Sequence, residues 1–559
     1  MAVILAYDIG TTGVKTCLYN VGSSVDLMGA ASEGYELYTI PGGGAEQHAD
    51  EWWDAICKST AGVLEKTGAD PADIDGITFC SQMQGLVLVD EEGVPVRHPM
   101  SYMDQRASEE MKEGIGTGVK IAGMNAEKLL KSLQITGVAA GSVKDPIWRY
   151  VWVKNHEPEN YSRVKWWLDV KEYVIGRMTG KFVMTEDSAW STMLYDTRKK
   201  SYGWSSEMCD MFGIDISHMP PVIKTSDVAG TLREEQAAEL GLRAGTPVYG
   251  GGGDASLIGI GAGCVKAGQT HMYCGTSGWV STLVKRQKID TENMIGGGLG
   301  AVPGLFSYFA EMETAGKCLE WVKDHLAKDE IGVYMDQEDI AGSKETVYES
   351  LYDYMSEVIG SCPAGAGGVI FTPWLHGNRC PFEDHLSRGM FFNISLDTGK
   401  TEMLRAVTEG VCYHLRWMLE CEDKKIKTSK TIRFVGGGAL SPVTCQILAD
   451  ITGRTIETVA SPQNAGAVGA ALTAAVGMGA VKGLAEAAGL IPVTAVYRPN
   501  KEDAAVYDRS FEVFKNLYRA NKRNFEMMNG LQPAPAQRGS RKKRPETVKK
   551  TEKKADKKQ

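Results

Sequence analysis

The chain opens Val3-Ile4-Leu5-Ala6-Tyr7-Asp8-Ile9-Gly10-Thr11-Thr12-Gly13-Val14-Lys15. An apolar, β-favouring run ends on a carboxylate, Gly-Thr-Thr-Gly supplies turn chemistry, and Val14 to Tyr19 is β-like again; the reading is strand, tight turn, strand. The arrangement returns at Met272-Tyr273-Cys274, Gly275-Thr276-Ser277-Gly278 and the apolar stretch from Trp279, at a constant offset of 265 residues. Such a repeat predicts two related halves. Around these units, amphipathic stretches at 49–66 and 147–156 alternate with short apolar runs at 77–80 and 86–89, the pattern of an α/β protein.

With 559 residues, the chain is too long for a single core. A break near Gly245-Thr246-Pro247 predicts domains over 1–247 and 248–530, and the Pro-, Lys- and Ala-rich segment 531–559 is expected to be disordered. The composition, 43% apolar and 23% charged, supports a globular body. Net charge is −9, but residues 531–559 carry +8 and the body −17. An acidic body argues against broad nucleic-acid binding, which rests on Lys and Arg neutralising phosphates. Twelve scattered cysteines without a CxxC pair suit reduced thiols in the cytoplasm, and nine dispersed histidines give no zinc spacing. The apolar N-terminus lacks the basic flank of a signal peptide. The stretch 465–481 is interrupted by Gly466, Gly469, Gly477 and Gly479, and reads as a closely packed helix rather than a membrane span.

Three motifs can carry chemistry. Asp8 at a strand end is costly unless partnered, and the Gly and Thr residues after it leave N–H groups and hydroxyls to face an anion. In outline this is a phosphate and Mg²⁺ site, the ion held through Asp8 by way of water, with Thr11, Thr12 and Lys15 beside a transferred phosphoryl group. A hairpin in which Asp8 and Thr11 satisfy the backbone accounts for the same residues. Asp254, after four glycines that allow close ligand approach, is the candidate general base; a helix cap is the alternative. Gly436-Gly437-Gly438-Ala439, between a strand-like run and a helix, would let a flat base or a phosphate approach the backbone. Neither GxxxxGK[ST] nor GxGxxG occurs, which counts against a P-loop or a dinucleotide enzyme.

These residues, together with Glu46-Gln47, Trp52-Trp53, Ser81-Gln82-Met83-Gln84-Gly85, Met103-Asp104-Gln105-Arg106, Arg388-Gly389-Met390-Phe391-Phe392 and Arg405-Ala406-Val407-Thr408-Glu409-Gly410, resemble the FGGY carbohydrate kinases, most closely their xylulokinase branch. The resemblance runs from Ala2 to about Asn529. It implies two actin-like, ribonuclease-H-like α/β domains flanking a central cleft where a sugar meets MgATP. By the same resemblance Asp8 serves Mg²⁺ and Asp254 is the base. Gly275 and Thr276 hold phosphates; Gly437, Gly438 and Ala439 hold adenosine; Gly316 and Glu320 lie near nucleotide. Met83, Gln84, Asp104 and Asp254 line the sugar pocket. The implied activity is ATP-dependent phosphorylation of a ketopentose, D-xylulose to its 5-phosphate, by a cytoplasmic enzyme with no membrane partner, compatible with a homodimer. Gln84 stands where xylulokinases usually carry His, and the Arg-Glu pair of glycerol kinases is absent, so glycerol is disfavoured. A kinase for another polyol or ketose, and an inactive sugar-binding regulator, remain as alternatives. Trp148, Trp152, Trp166 and Trp167 read as core aromatics.

Overall fold

The computed structural model describes residues 1–121, 123–327 and 351–530. The segment 531–559 lies outside the described residues. In β1 (Ala2–Ile9), Leu5, Tyr7 and Ile9 enter one core while Ala2, Ile4 and Ala6 enter another, so an unbroken apolar run is covered on both faces. By that alternation Asp8 continues the second face. β2 (Gly13–Val21) returns antiparallel with Lys15 opposite Asp8, and β3 (Val25–Gly34) forms the edge. α1 (Ala49–Thr67) lays Trp52, Trp53, Ile56 and Val63 on the first core and stops at Gly68, whose φ of 62° is a left-handed value that glycine adopts without a Cβ clash.

β4 (Gly76–Ser81) adds parallel to β1. α2 (Pro146–His156) starts on a proline whose missing N–H costs nothing at a first turn, and buries Trp148 in a third core with Trp167. β5 (Val228–Thr231), β6 (Pro247–Tyr249) and β7 (Gly252–Gly253) complete a sheet ordered β5-β6-β4-β1-β2-β3, with β7 also on β4. β6 thus spans the expected division at 247/248, and β7, still in the first sheet, lies after it. α3 (Asp254–Gly261) follows directly.

The second sheet contains β8 (Thr270–Cys274), β9 (Gly278–Val284), β10 (Gly296–Leu299) and β11 (Phe306–Met312). After α4 (Gly316–Val322) and α5 (Lys400–Asp423) come β12 (Thr431–Val435), β13 (Thr455–Val459), α6 (Ala465–Gly477), β14 (Val493–Tyr497) and α7 (Ala504–Asn529). The order is β10-β11-β9-β8-β12-β13-β14. Its strands β11-β9-β8-β12-β13 repeat the order and directions of β3-β2-β1-β4-β6. This is the duplication read from the 265-residue repeat.

The two hairpins differ in one respect. Ile9 pairs with Val14 across four residues, whereas Cys274 pairs with Gly278 across three. The second turn is one residue tighter, so Lys15 corresponds in space to Trp279 and not to Val280.

Between the sheets lie α3 and α6, sharing one core with residues from both lobes. Residues 465–475 of α6 are buried throughout, as the small-residue stretch predicts. A Cβ on Gly261 would lie 1.8 Å from the Ala465 carbonyl oxygen, and one on Gly469 would lie 2.1 Å from that of Leu257, so the helices meet backbone to backbone. The Arg405–Glu409 motif is structural: Arg405 donates to Glu409 at 2.7 Å, to the Ile359 and Cys362 carbonyls and to the Tyr507 hydroxyl, fastening α5 to α7.

Candidate functional site

Three strands end side by side. Cys80 of β4 pairs with Asp8 of β1 on one flank and with Gly252 of β7 on the other, so Asp8 and Asp254 stand at the same end of the sheet. Carboxyl ends of parallel strands are where α/β proteins open a crevice. Burial raises the pKa of Asp8 and the Lys15 ammonium across the hairpin opposes it. Gly466, in the first turn of α6, faces this carboxylate; a Cβ there would lie 3.2 Å from Asp8 Oδ2 and 2.7 Å from Cys80 Sγ. The missing Cβ spares the carboxylate a close contact there, and a lone acid fits one contact to a hydrated cation better than a closed metal cage. Among the described residues no group of three His, Cys, Asp or Glu could hold a metal.

Lys15 goes elsewhere than expected. Its ammonium donates to the Gln463 carbonyl at 3.2 Å and to Asn464 Oδ1 at 3.0 Å, because its register opposite Asp8 carries it onto the loop that starts α6. It joins the lobes and is not free at the turn. Thr11 is half-buried with its hydroxyl 3.4 Å from Tyr102 Oη, and Thr12 is exposed.

Asp254 is the first residue of α3. Burial, with Asp8, Glu311 and Asp169 adding negative potential, pushes its pKa up to about 7 against a donated bond from the Ala255 N–H at 2.7 Å. The other carboxylate oxygen has no donor among the described residues. Buried Asp187 holds the approach: it accepts from the Gly253 N–H at 2.8 Å and from the Thr185 hydroxyl at 2.6 Å. Met83 packs against Gly253, where a Cβ would lie 2.2 Å from its sulfur.

Gln84 adopts φ 63°, a strained value for a non-glycine residue that its surroundings must enforce. Asp169 accepts from the Gln84 and Gly85 N–H groups at 2.8 Å each, and fully buried Arg149 donates to the Gln84 carbonyl at 2.5 Å and to that of Ser101. The Gln84 amide reaches the Ser191 carbonyl at 3.4 Å. Met83 is therefore brought beside the residue before Asp254, with Gln84 next to it in the chain. Asp104 is not: it is 0% exposed, accepting from the Ala45 N–H at 2.7 Å and from Arg106, which captures it two residues on. Its place is under the loop, tying the Ala45 backbone to Arg106.

Carboxylates dominate this end of the cleft. Tyr102 feels Asp254, Glu311 and Glu313 together. The cations nearby are committed: Arg379 pairs with Glu311 at 2.7 Å, and Lys144 of the first lobe with Glu313 of the second at 3.3 Å.

The other end is built from turns. Thr276 is exposed at the tip of the second hairpin, while the carbonyls of Gly275 and Thr276 accept from Gly316 at 2.7 Å and from Ala315 at 3.0 Å. A Cβ on Gly316 would lie 2.6 Å from the Gly275 oxygen, so Gly316 supports the turn from below with its N–H already used. Glu320 pairs with Lys317 on α4 at 2.9 Å. Gly436, at φ 93°, donates to the Pro462 carbonyl at 2.9 Å; a Cβ there would lie 2.5 Å from the Cys274 oxygen, so the glycine-rich turn lies directly against the hairpin. Gly437 has open space where a side chain would be and Ala439 is buried, leaving a flat backbone shelf. Sequence reasoning missed Arg149 as a brace, Asp169, Asp187, Glu311 and Tyr273. The one local signal among them is Asp169 before a helix, an N-cap pattern.

The model of the N-terminal domain of the FGGY family of carbohydrate kinases matches residues 3–261, and that of its C-terminal domain matches residues 271–478. The xylulose kinase of Bacillus subtilis (strain 168) is 28% identical over 524 residues, covering 93% of this chain and 97% of that protein. The gluconokinase of Bacillus licheniformis is 26% identical over 545 residues, covering 95% and 98%. The ligand-bound xylulose kinase of Lactobacillus acidophilus superposes with a TM-score of 0.79 at 25% identity, over 94% of this chain and all of that one.

Proposed function

The chain belongs to the FGGY family of carbohydrate kinases, and from that premise we propose that it transfers the γ-phosphoryl group of MgATP to a primary hydroxyl of a neutral ketopentose, D-xylulose foremost. The observation that carries this is the place of Asp254, directly after the strand that shares Cys80 with Asp8 and beside Met83, where burial pushes its pKa up to about 7. A general base works best with a pKa near the working pH. Asp254 takes the proton of the acceptor hydroxyl as its oxygen bonds to phosphorus and the bond to the departing ADP breaks. Thr11, Thr12 and Thr276 offer hydroxyls to the phosphates, with Gly275 setting the turn. The shelf from Gly437 to Ala439 receives the base of the nucleotide. Asp8 is the residue to hold Mg²⁺, whose charge would offset that of the phosphates. The Lys15 bridge to Gln463 and Asn464 ties the first hairpin to the second lobe, so that the sugar side and the ATP side keep one register.

The gluconokinase likeness raises a sugar acid as the second reading. The acidic surroundings weigh against it: Asp254, Glu311 and Glu313 already crowd one end of the cleft, and Arg379 and Lys144 are held by partners. A bound carboxylate would add repulsion in a poorly screened site. Coupled ADP release should give D-xylulose a kcat/KM at least about 100-fold above gluconate, an advantage of about 2.7 kcal/mol. Preference for gluconate would overturn the neutral-sugar reading, and no ADP release with any sugar would favour the regulator.

A further inference from the structure

Position 273 is the duplicate of position 8. Both residues are next to last in the first strand of their sheet, on the face that meets α3 and α6, and each is paired across its hairpin, Asp8 with Lys15 and Tyr273 with Trp279. Where the first half has an acid, the second has a phenol. The Tyr273 ring stacks on Trp279 with centroids 4.0 Å apart, and Trp279 is anchored by donating to His271 Nε2 at 3.1 Å. The ring therefore has a fixed direction. It runs over the phosphate-side turn: a Cβ on Gly275 would lie 2.0 Å from the Tyr273 hydroxyl oxygen, and one on Gly436 would lie 3.0 Å from ring carbon Cδ2. The hydroxyl fills the space that the missing Gly275 side chain leaves, between the two turns. No hydrogen bond to that oxygen is present among the described residues. Burial, together with the nearby Asp8 and Asp254, raises its pKa far beyond physiological pH, so it remains an O–H donor.

We propose that Tyr273 is a further catalytic residue, its O–H donating a hydrogen bond to the phosphoryl group as that group passes from the 275–277 turn toward the acceptor at Asp254. The phenol keeps its proton throughout; the acceptor's proton goes to Asp254 and ADP leaves with the electrons of the broken P–O bond. A neutral donor aimed at charge that develops in transit stabilises the transition state more than the ground state. The inference rests on the kinase reading above, and its test separates the two.

Tyr273→Phe removes the oxygen and keeps the stack on Trp279. In the full chain, kcat for the best sugar should fall about 10- to 100-fold, while KM for sugar and for ATP stays within about threefold. Independently of any sugar, the wild-type protein should bind Mg·ADP with tetrafluoroaluminate, a mimic of the phosphoryl group in transit, more tightly than Mg·ADP, and the variant should lose about tenfold of that advantage with ADP affinity unchanged. A kcat within threefold of wild type, or an undiminished preference for the mimic, overturns the role of Tyr273. Should wild type turn over no sugar at all, the kinase reading fails by that result, and the fluoroaluminate measurement still decides Tyr273.

Discussion

Asp254→Asn should separate activity from stability in opposite directions. The side chain keeps its shape and its bond to the Ala255 N–H, so the loop fixed by Asp187 has no reason to move. Loss of the proton acceptor should lower kcat by about 10²- to 10⁴-fold, the range for a placed general base. Stability follows from linkage. The carboxyl holds its proton to about pH 7 in the folded chain against 3.8 for the free group. Between those values the unfolded chain is ionised and the folded chain is not, so folding weakens as pH rises from about 4 to 7 and the penalty is complete above 7. Its full size is at most about 4 kcal/mol. Asparagine carries no such penalty. The variant should therefore melt at a higher temperature than wild type at pH 8, and the gap should close as pH falls toward 4. Differential scanning fluorimetry of both proteins across that range, without nucleotide, is the assay. A melting difference independent of pH would show that this carboxyl is not strained by burial, and near-normal turnover in the variant would show that it is not the base. Wild-type kcat/KM should in turn rise with pH through about 7 and level off above it, since the base must be deprotonated.

Two further outcomes follow from the same geometry. Asp187→Asn sets an amide N–H₂ against the Gly253 N–H or the Thr185 hydroxyl, both donors to Asp187 now; kcat should drop at least about tenfold as Asp254 shifts, with ADP affinity within about twofold by calorimetry, because a misplaced reacting group costs rate first. Gly469→Ala puts a Cβ 2.1 Å from the Leu257 carbonyl oxygen with no flexible side chain to yield; it should cost about 2–3 kcal/mol or more, read as a melting shift or as insoluble expression. A soluble variant with unchanged melting would mean that the helices are not in backbone contact.

Much of the fold was legible because β1 and β8 are short apolar runs closed by glycine-rich turns, and such runs buried on both faces leave few other readings. The glycine strings also gave the positions of Asp254 and of the shelf at Gly437. What the letters hid was geometry set by distant segments. Near-identical spellings, Gly-Thr-Thr-Gly and Gly-Thr-Ser-Gly, concealed a one-residue difference in closure, because register is decided by the strands' pairing and not by the turn alone. Asp104 stands in a motif shared with sugar kinases, yet Arg106 and the Ala45 N–H occupy its oxygens. Lys15 is spoken for by a loop some 450 residues away in sequence. Arg149, Asp169 and Asp187 carry no local signature of their role, since each acts on backbone groups that the chain brings to it from far off.

The bare crossing of α3 and α6 has a mechanical consequence. Where Gly261 and Gly469 bring the two backbones together, no side chain keys one helix to the other, so that crossing can serve as an axle. Leu257 and Gly261 lie three and seven residues after Asp254, about 5–10 Å along the helix. A rotation of about 10° at the axle swings the Asp254 carboxylate by about 1–2 Å relative to Asp8 beside Gly466, and displacements of that size can change reaction rates about 10²-fold. A relative movement of the lobes at this crossing would thus change the spacing of the two acids.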